Sequence, residues 1–195
     1  MSVIRRITQN FTMMSILLIP VAIGINLIGG AIAIALKLPI YLDSIGTVLT
    51  AVLSGPWVAA VAGFLTSVVA TITIDPISLP FGLVQIAIAL VAGVLANRGW
   101  FDSVGKTIVS GLVIALTAAV VASPIVAYLF GGVTGAGSAF IVGYLLATGQ
   151  QLLTSVFTAQ ILSDGADKVL SALVAYVIVR NMSERYKVQF RGAAR

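Results

Sequence analysis

The stretch KLPIYLDSIGTVLTAVLSGPW, residues 37–57, joins a short charged and aromatic loop to an apolar run that ends at a Gly-Pro pair. A carboxylate on the edge of an apolar segment, here Asp43, is costly unless it faces water, a partner or a ligand. The loop is therefore either a candidate functional site or an ordinary solvated connection between two helices.

The composition is typical of a membrane protein. Of the 195 residues, 59% are hydrophobic and only 9% are charged, and the mean hydropathy is +1.13. Apolar segments recur along nearly the whole length, and the short polar breaks between them leave no room for a separate soluble domain. We therefore predict a single integral membrane domain over residues 1–195, an all-α bundle of membrane-spanning helices.

Missing residue types and motifs exclude several functions. The sequence contains no Cys and no His, so disulfides, zinc sites of the usual ligand set and imidazole acid–base catalysis are excluded. The run NRGWFDSVGKT has five residues between its glycines, whereas a phosphate-binding loop has four. The basic residues form no continuous stripe that would bind nucleic acid. We therefore expect no enzyme activity, no cofactor, no metal and no nucleic-acid partner.

Residues 44–73 are too long for one straight span. As a single helix they would extend about 45 Å, against about 30 Å of hydrocarbon. Pro56 has no backbone N–H and suits the first turn of a helix, so we divide the run there. The predicted spans are 11–36, 44–55, 57–73, 81–97, 107–130 and 168–185.

The basic residues predict the orientation. With a turn at Pro56, nine Lys and Arg residues lie on the side of the amino terminus, and only Lys37 and Lys168 lie on the other side. A single span over 44–73 would instead place seven Lys and Arg residues on the side of the amino terminus and four on the other side. Because the basic tail then lies on the same side as the amino terminus, the number of crossings must be even. We assign the polar segment 139–162 to the fifth loop as an extra outer-face helix, which gives six spans and cytoplasmic termini.

The order of these elements resembles a family of transport proteins. The run LPIYLDSIGTVLTAVLSGPWVAAVAG, residues 38–63, is similar to the second and third helices of the substrate-binding S components of energy-coupling factor (ECF) vitamin transporters. VAGVLANRG at the end of the fourth span and DKVLSALVAYVIVRN in the last one continue the pattern. The resemblance implies a six-transmembrane-helix bundle in a prokaryotic plasma membrane that captures a vitamin-like micronutrient from outside. It also implies partners, namely a transmembrane coupling subunit and two ATPase subunits.

The resemblance places the substrate-binding candidates near the outer face. They are Tyr41, Asp43, Asp75, Gln85, Gln151, Asp167 and Lys168. Simpler roles stay open for several of them, because a glutamine can bond a neighbouring helix, a tyrosine can belong to an aromatic belt, and an Asp-Lys pair can be a helix-start charge and an interfacial anchor. Gly29 and Ala33 stand in for the Ala-x-x-x-Ala patch with which the family's first helix docks on the coupling subunit.

Two other functions remain open. An ion-coupled secondary transporter would show inverted repeats and discontinuous helices that meet at the membrane midplane, and the sequence has no visible internal repeat. A membrane sensor or anchoring subunit would contact protein through its polar loops and bind no small molecule. If a substrate is bound, the mixture of carboxylate, lysine and amides with few aromatics favours a small polar heterocycle or amide.

Overall fold

The computed structural model describes residues 11–134 and 138–190, and within these ranges the chain is helical, with no strand. The helices are α1 (Met13–Ala35), α2 (Ile45–Ser54), α3 (Pro56–Thr73), α4 (Gly82–Asn97), α5 (Val104–Pro124), α6 (Ser138–Ala147), α7 (Leu152–Asn181) and α8 (Glu184–Phe190). A 3-10 turn, Pro76–Phe81, precedes α4, and a π-helical turn, Ile125–Leu129, extends α5. The predicted all-α class is confirmed.

The outer surface of the bundle is apolar. Four helical stretches are long and apolar enough to cross a membrane, namely Met13–Ala35, Pro56–Thr73, Pro76–Asn97 and Val104–Leu129. Large aliphatic side chains project from them to the outside, among them Leu17, Val21 and Ile28 of α1 and Leu112, Leu116 and Val120 of α5. An apolar surface of this extent is unfavourable in water, so these helices fit a membrane-embedded protein.

The break at the Gly-Pro pair is present as predicted. Gly55 has φ 87°, a left-handed conformation that favours glycine, and Pro56 is the first residue of α3. Helix α2 is only ten residues long, and every residue from Gly46 to its end is buried. Gly46 lets α2 approach α1 closely, because a Cβ at this position would overlap the carbonyl oxygen of Ala22. The short helix therefore forms the centre of the bundle.

The bundle has one strongly basic end. At this end the hydroxyl of Ser15, near the start of α1, donates to the carbonyl of Phe190 at 3.0 Å. The 98–103 loop lies beside the last turn of α7. The basic residues of these segments are Arg98, Lys106, Arg180, Arg185 and Lys187. Other members of the predicted cytoplasmic set, Arg5, Arg6, Arg191 and Arg195, lie outside the described residues.

The prediction for residues 139–185 is partly wrong. We predicted an outer-face helix over 139–162, a polar loop, and a last span over 168–185. Instead α6 ends at Ala147, a turn follows in which Gly149 has φ 86°, and α7 then runs unbroken for 30 residues to Asn181. Within the polar run 163–168, Asp164 and Asp167 lie close to the ammonium group of Lys168, and Asp167 also contacts loop 36–44, so these charged side chains are buried in the bundle and not solvated.

Candidate functional site

A cavity of about 150 Å³ lies at the end of the bundle opposite the basic residues. Residues from the ends of α1, α3 and α5, from the start of α4 and from the middle of α7 line it. Its apolar lining residues include Phe81, Val84, Ile88, Ala122 and Val126. Its ionisable lining residues are Tyr41, Asp43, Asp75, Asp164 and Lys168.

Lys168 lies at the centre of the charged wall, on α7, and only 2% of its surface is exposed. Its Nζ lies 2.5 Å from Asp167 Oδ2, 2.9 Å from Ser44 Oγ and 3.4 Å from Asp43 Oδ1. A third carboxylate, Asp164, has its Oδ1 at 3.6 Å from the same nitrogen. A buried ammonium group is therefore surrounded by three carboxylates that come from two distant parts of the chain.

Asp167 fixes the loop between α1 and α2, residues 36–44, on α7. Its Oδ1 accepts hydrogen bonds from the backbone N–H groups of Leu42, at 2.7 Å, and Tyr41, at 3.3 Å. Leu42 has φ 54°, a left-handed conformation that costs a residue with a side chain about 1–2 kcal/mol. The fully buried carboxylate stabilises this conformation and so determines where the loop presents Asp43.

A second polar network holds the same loop from the other side. Asn26 Nδ2 donates to Thr47 Oγ1 at 2.9 Å and to Thr66 Oγ1 at 3.1 Å, and its Oδ1 accepts from the backbone N–H of Gly46 at 2.7 Å. Thr47 then donates to Gln85 Oε1 at 2.8 Å, and Gln85 Nε2 donates to the carbonyl oxygen of Asp43 at 3.0 Å. The network joins α1, α2, α3 and α4 directly beneath Asp43.

Asp43 and Tyr41 are the ionisable residues of the loop that line the cavity. The side chain of Asp43 is 41% exposed, and Asp43 lines the cavity. Partial loss of hydration at the cavity raises the pKa of the Asp43 carboxyl, against the opposing effect of the Lys168 ammonium. Burial, aided by the Asp164 carboxylate, also raises the pKa of the Tyr41 phenol, which therefore remains protonated and donates to Gln160 Oε1.

The structure brings most of the predicted site residues together. Tyr41, Asp43, Asp75, Gln85 and Lys168 all line the cavity. Asp75 also begins the 3-10 turn, where its side chain accepts from the N–H of Ile77 at 3.3 Å. Asp167 is fully buried behind the wall, and its contacts are to the loop and to Lys168.

Gln151 lies apart from these residues. It is exposed, it precedes the first residue of α7, and it does not line the cavity. The glutamine of α7 that reaches the cavity is Gln160, which shares one face of the helix with Asp164 and Lys168 because the three residues are spaced four apart. The predicted position differs because we placed the helix boundary after residue 162.

Gly29 and Ala33 are buried inside the bundle and do not form an external patch. A Cβ at Gly29 would overlap the carbonyl oxygen of Leu42, so this glycine makes room for the strained loop. Ala33 is 4% exposed and lines the cavity. The chain's own loop 36–44 covers the pair, which corrects the prediction that they form a surface for a coupling subunit.

The candidate list omitted Asn26, Gln160 and Asp164. Asn26 was visible in the sequence as a lone amide within an apolar helix, a pattern that indicates a contact between helices. Asp164 and Lys168 have the spacing of an ion pair on one helix face. That signal was hidden because residues 163–168 had been assigned to a loop.

Comparison with protein-family models, with curated proteins and with solved structures finds no match to this chain.

Proposed function

We propose that this chain is a membrane-embedded binding protein that captures a small molecule in the cavity beside loop 36–44. The observation that carries the proposal is the buried cluster of Asp43, Asp164, Asp167 and Lys168. Burying several charges in an apolar bundle is costly, and ionisable groups within membrane segments commonly mark substrate pathways. Two of these carboxylates line a cavity that is otherwise mostly apolar, which is the usual composition of a ligand site.

The fold supports a proposed topology of six spans. Helices α1 to α5 and α7 would cross the membrane, with the short α2 at the centre of the bundle. Helix α6 would lie at the outer end. Most of the described basic residues lie at the end of the bundle opposite the cavity. Of the described basic residues, only Lys37 and Lys168 lie at the cavity end. By the positive-inside rule the basic end faces the cytoplasm and the cavity faces the outside. A ligand would then enter from the outer side.

The finer proposal is that the chain is the S component of an ECF-type importer. The sequence resemblance of residues 38–63 supports it, as does the short helix α2 between the outer loop and the Gly55–Pro56 turn. In this role the chain would bind a vitamin or related micronutrient in a prokaryotic plasma membrane. A transmembrane coupling subunit and two ATPase subunits would then supply the energy for uptake.

Native mass spectrometry of the protein purified from its host tests the binding function. We expect a retained small molecule in the wild-type protein and loss of it in Asp43→Ala. This variant is informative because, within the described part of the chain, the Asp43 side chain bonds only Lys168, while its backbone carbonyl keeps the bond from Gln85. Asp102→Ala is the matched control, since Asp102 is an exposed carboxylate at the opposite end. Equal occupancy in Asp43→Ala and wild type would refute the site, and detection of bulk lipid alone would refute the function.

The buried carboxylates also favour a second candidate, an ion-coupled secondary transporter, because such groups carry protons or bind cations in that class. Reconstitution of the purified chain into liposomes separates the two. Uptake of the retained molecule driven by a proton or sodium gradient, without any ATPase, would support the secondary transporter. An S component alone would bind the molecule without accumulating it.

A further inference from the structure

The hydrogen bonds of the charged cluster leave one buried oxygen unused. A lysine ammonium has three N–H donors, and those of Lys168 are taken by Asp167, Ser44 and Asp43. Asp164 lies just beyond hydrogen-bond range of the same nitrogen, at 3.6 Å. Its Oδ2 is buried and has no donor among the described residues, and the residue as a whole is only 2% exposed. A buried carboxylate oxygen in this state is costly, and a ligand that brings a positive charge and N–H donors to Asp164 would reduce the cost.

The cavity wall has more acidic than basic side chains. Asp43, Asp75 and Asp164 line the cavity, and Lys168 is the only cation among the described lining residues. The fully buried Asp167 adds a further carboxylate directly behind Lys168. A ligand that carries positive charge would reduce this excess, whereas an anion would increase it. In a site of low dielectric, the difference in binding free energy between a cationic and an anionic ligand is large.

A bare metal ion does not suit this wall. Within the described ranges no group of three or more His, Cys, Asp or Glu residues is arranged to hold a metal ion. The Lys168 ammonium already occupies the point where the carboxylates converge, and it would repel a metal cation. The cation that fits is therefore organic, with N–H groups that can approach the carboxylates from the cavity side.

The size and the apolar surface of the cavity limit the rest of the ligand. A cavity of about 150 Å³ in a protein interior accommodates a ring of the size of benzene. Val84, Ile88, Ala122 and Val126 are among the apolar residues of the lining. Together these side chains suit one flat or compact apolar body, with its charged edge directed at Asp43 and Asp164.

We propose that the cavity selects a compact, single-ring organic cation of the amidine or protonated amino-heterocycle type, whose N–H groups donate to the carboxylates of Asp43 and Asp164. This inference rests on the proposed function as a binding protein. It narrows the substrate class from polar heterocycles and amides in general to those that are positively charged when bound.

Three probes of nearly equal shape test the inference on the wild-type protein in nanodiscs. They are benzamidine, which is a cation, benzamide, which is neutral, and benzoate, which is an anion. Isothermal titration calorimetry should give saturable binding of benzamidine with a Kd about 10- to 100-fold lower than that of benzamide, the usual effect of a charge-assisted hydrogen bond in a buried site. Benzoate should not bind. Benzamide or benzoate binding as tightly as benzamidine would overturn the proposal.

Two variants connect the selectivity to the assigned carboxylates. Asp164→Asn should remove most of the preference for benzamidine over benzamide. The control Asp102→Asn, at the opposite end, should keep the wild-type preference. If Asp164→Asn does not fold, Asp43→Asn provides the same comparison at the more exposed carboxylate. A full preference for the cation in folded variants of both carboxylates would refute the assignment.

The retained molecule separates failure of this inference from failure of the proposed function. A neutral or anionic molecule found by native mass spectrometry would overturn the cation inference and leave the binding function intact. Absence of both a retained molecule and any probe binding would overturn both. A retained organic cation that benzamidine displaces would support both.

Discussion

The three hydrogen bonds of Asn26 predict a loss of stability when leucine replaces this side chain. Leucine has a similar size but no polar atom, so Asn26→Leu removes the bonds to Thr47 and Thr66 and leaves the N–H of Gly46 without its acceptor. Hydrogen bonds between helices in membranes contribute about 0.6 kcal/mol each, and those in water-soluble proteins about 1 kcal/mol. We therefore expect the free energy of unfolding to fall by about 2–3 kcal/mol.

Thermal unfolding in detergent, followed by circular dichroism, measures this effect. For a chain of this length the loss corresponds to a fall in Tm of about 5–10 °C. Thr117→Val is the control, because the exposed hydroxyl of Thr117 donates only to the carbonyl of Val113 on its own helix. A change in Tm of less than about 2 °C in Asn26→Leu would show that the network does not hold the four helices together.

Other substitutions test the packing and the loop. Gly111→Ala should lower Tm by several degrees, because its Cβ would lie 2.6 Å from the Cα of Val169. At Gly165 a Cβ meets nothing within 4 Å, so Gly165→Ala should raise the free energy of unfolding by about 0.5–1 kcal/mol. The same unfolding assay compares the two helical glycines, and destabilisation by Gly165→Ala would contradict the expected helix. Asp167→Ala removes the acceptor of two backbone N–H groups in loop 36–44, so trypsin should cleave after the exposed Lys37 faster than in wild type. Unchanged cleavage in that variant would show that Asp167 does not fix the loop.

The sequence predicted those features that depend on local chemistry. The division of residues 44–73 followed from the length of the run and from the properties of Pro56, and the structure has the break at that point. Counting basic residues placed Asp43 and Lys168 at the same end of the bundle, and the structure brings them to 3.4 Å. Both predictions used rules that apply to any apolar helix, so no tertiary information was needed.

The features that the sequence did not reveal depend on partners that are distant along the chain. A polar run such as 163–168 reads as a solvated loop, since nothing local shows that Asp167 meets backbone N–H groups more than 120 residues away. Once that run was assigned to a loop, the helical phase that brings Gln160 to the cavity was lost. The burial of Gly29 was hidden for a similar reason. A small residue on a helix lets either another subunit or a loop of the same chain pack closely, and the sequence does not distinguish the two.

The continuity of α7 has a mechanical consequence. One uninterrupted helix carries Asp164 and Lys168 at the cavity, holds loop 36–44 through Asp167, and ends among the basic residues at the opposite end. A rigid helix cannot turn about its axis at one end without turning at the other. A protein that binds the basic end and rotates α7 would therefore separate the cavity wall from loop 36–44 in a single movement, because α7 has no hinge between its two ends.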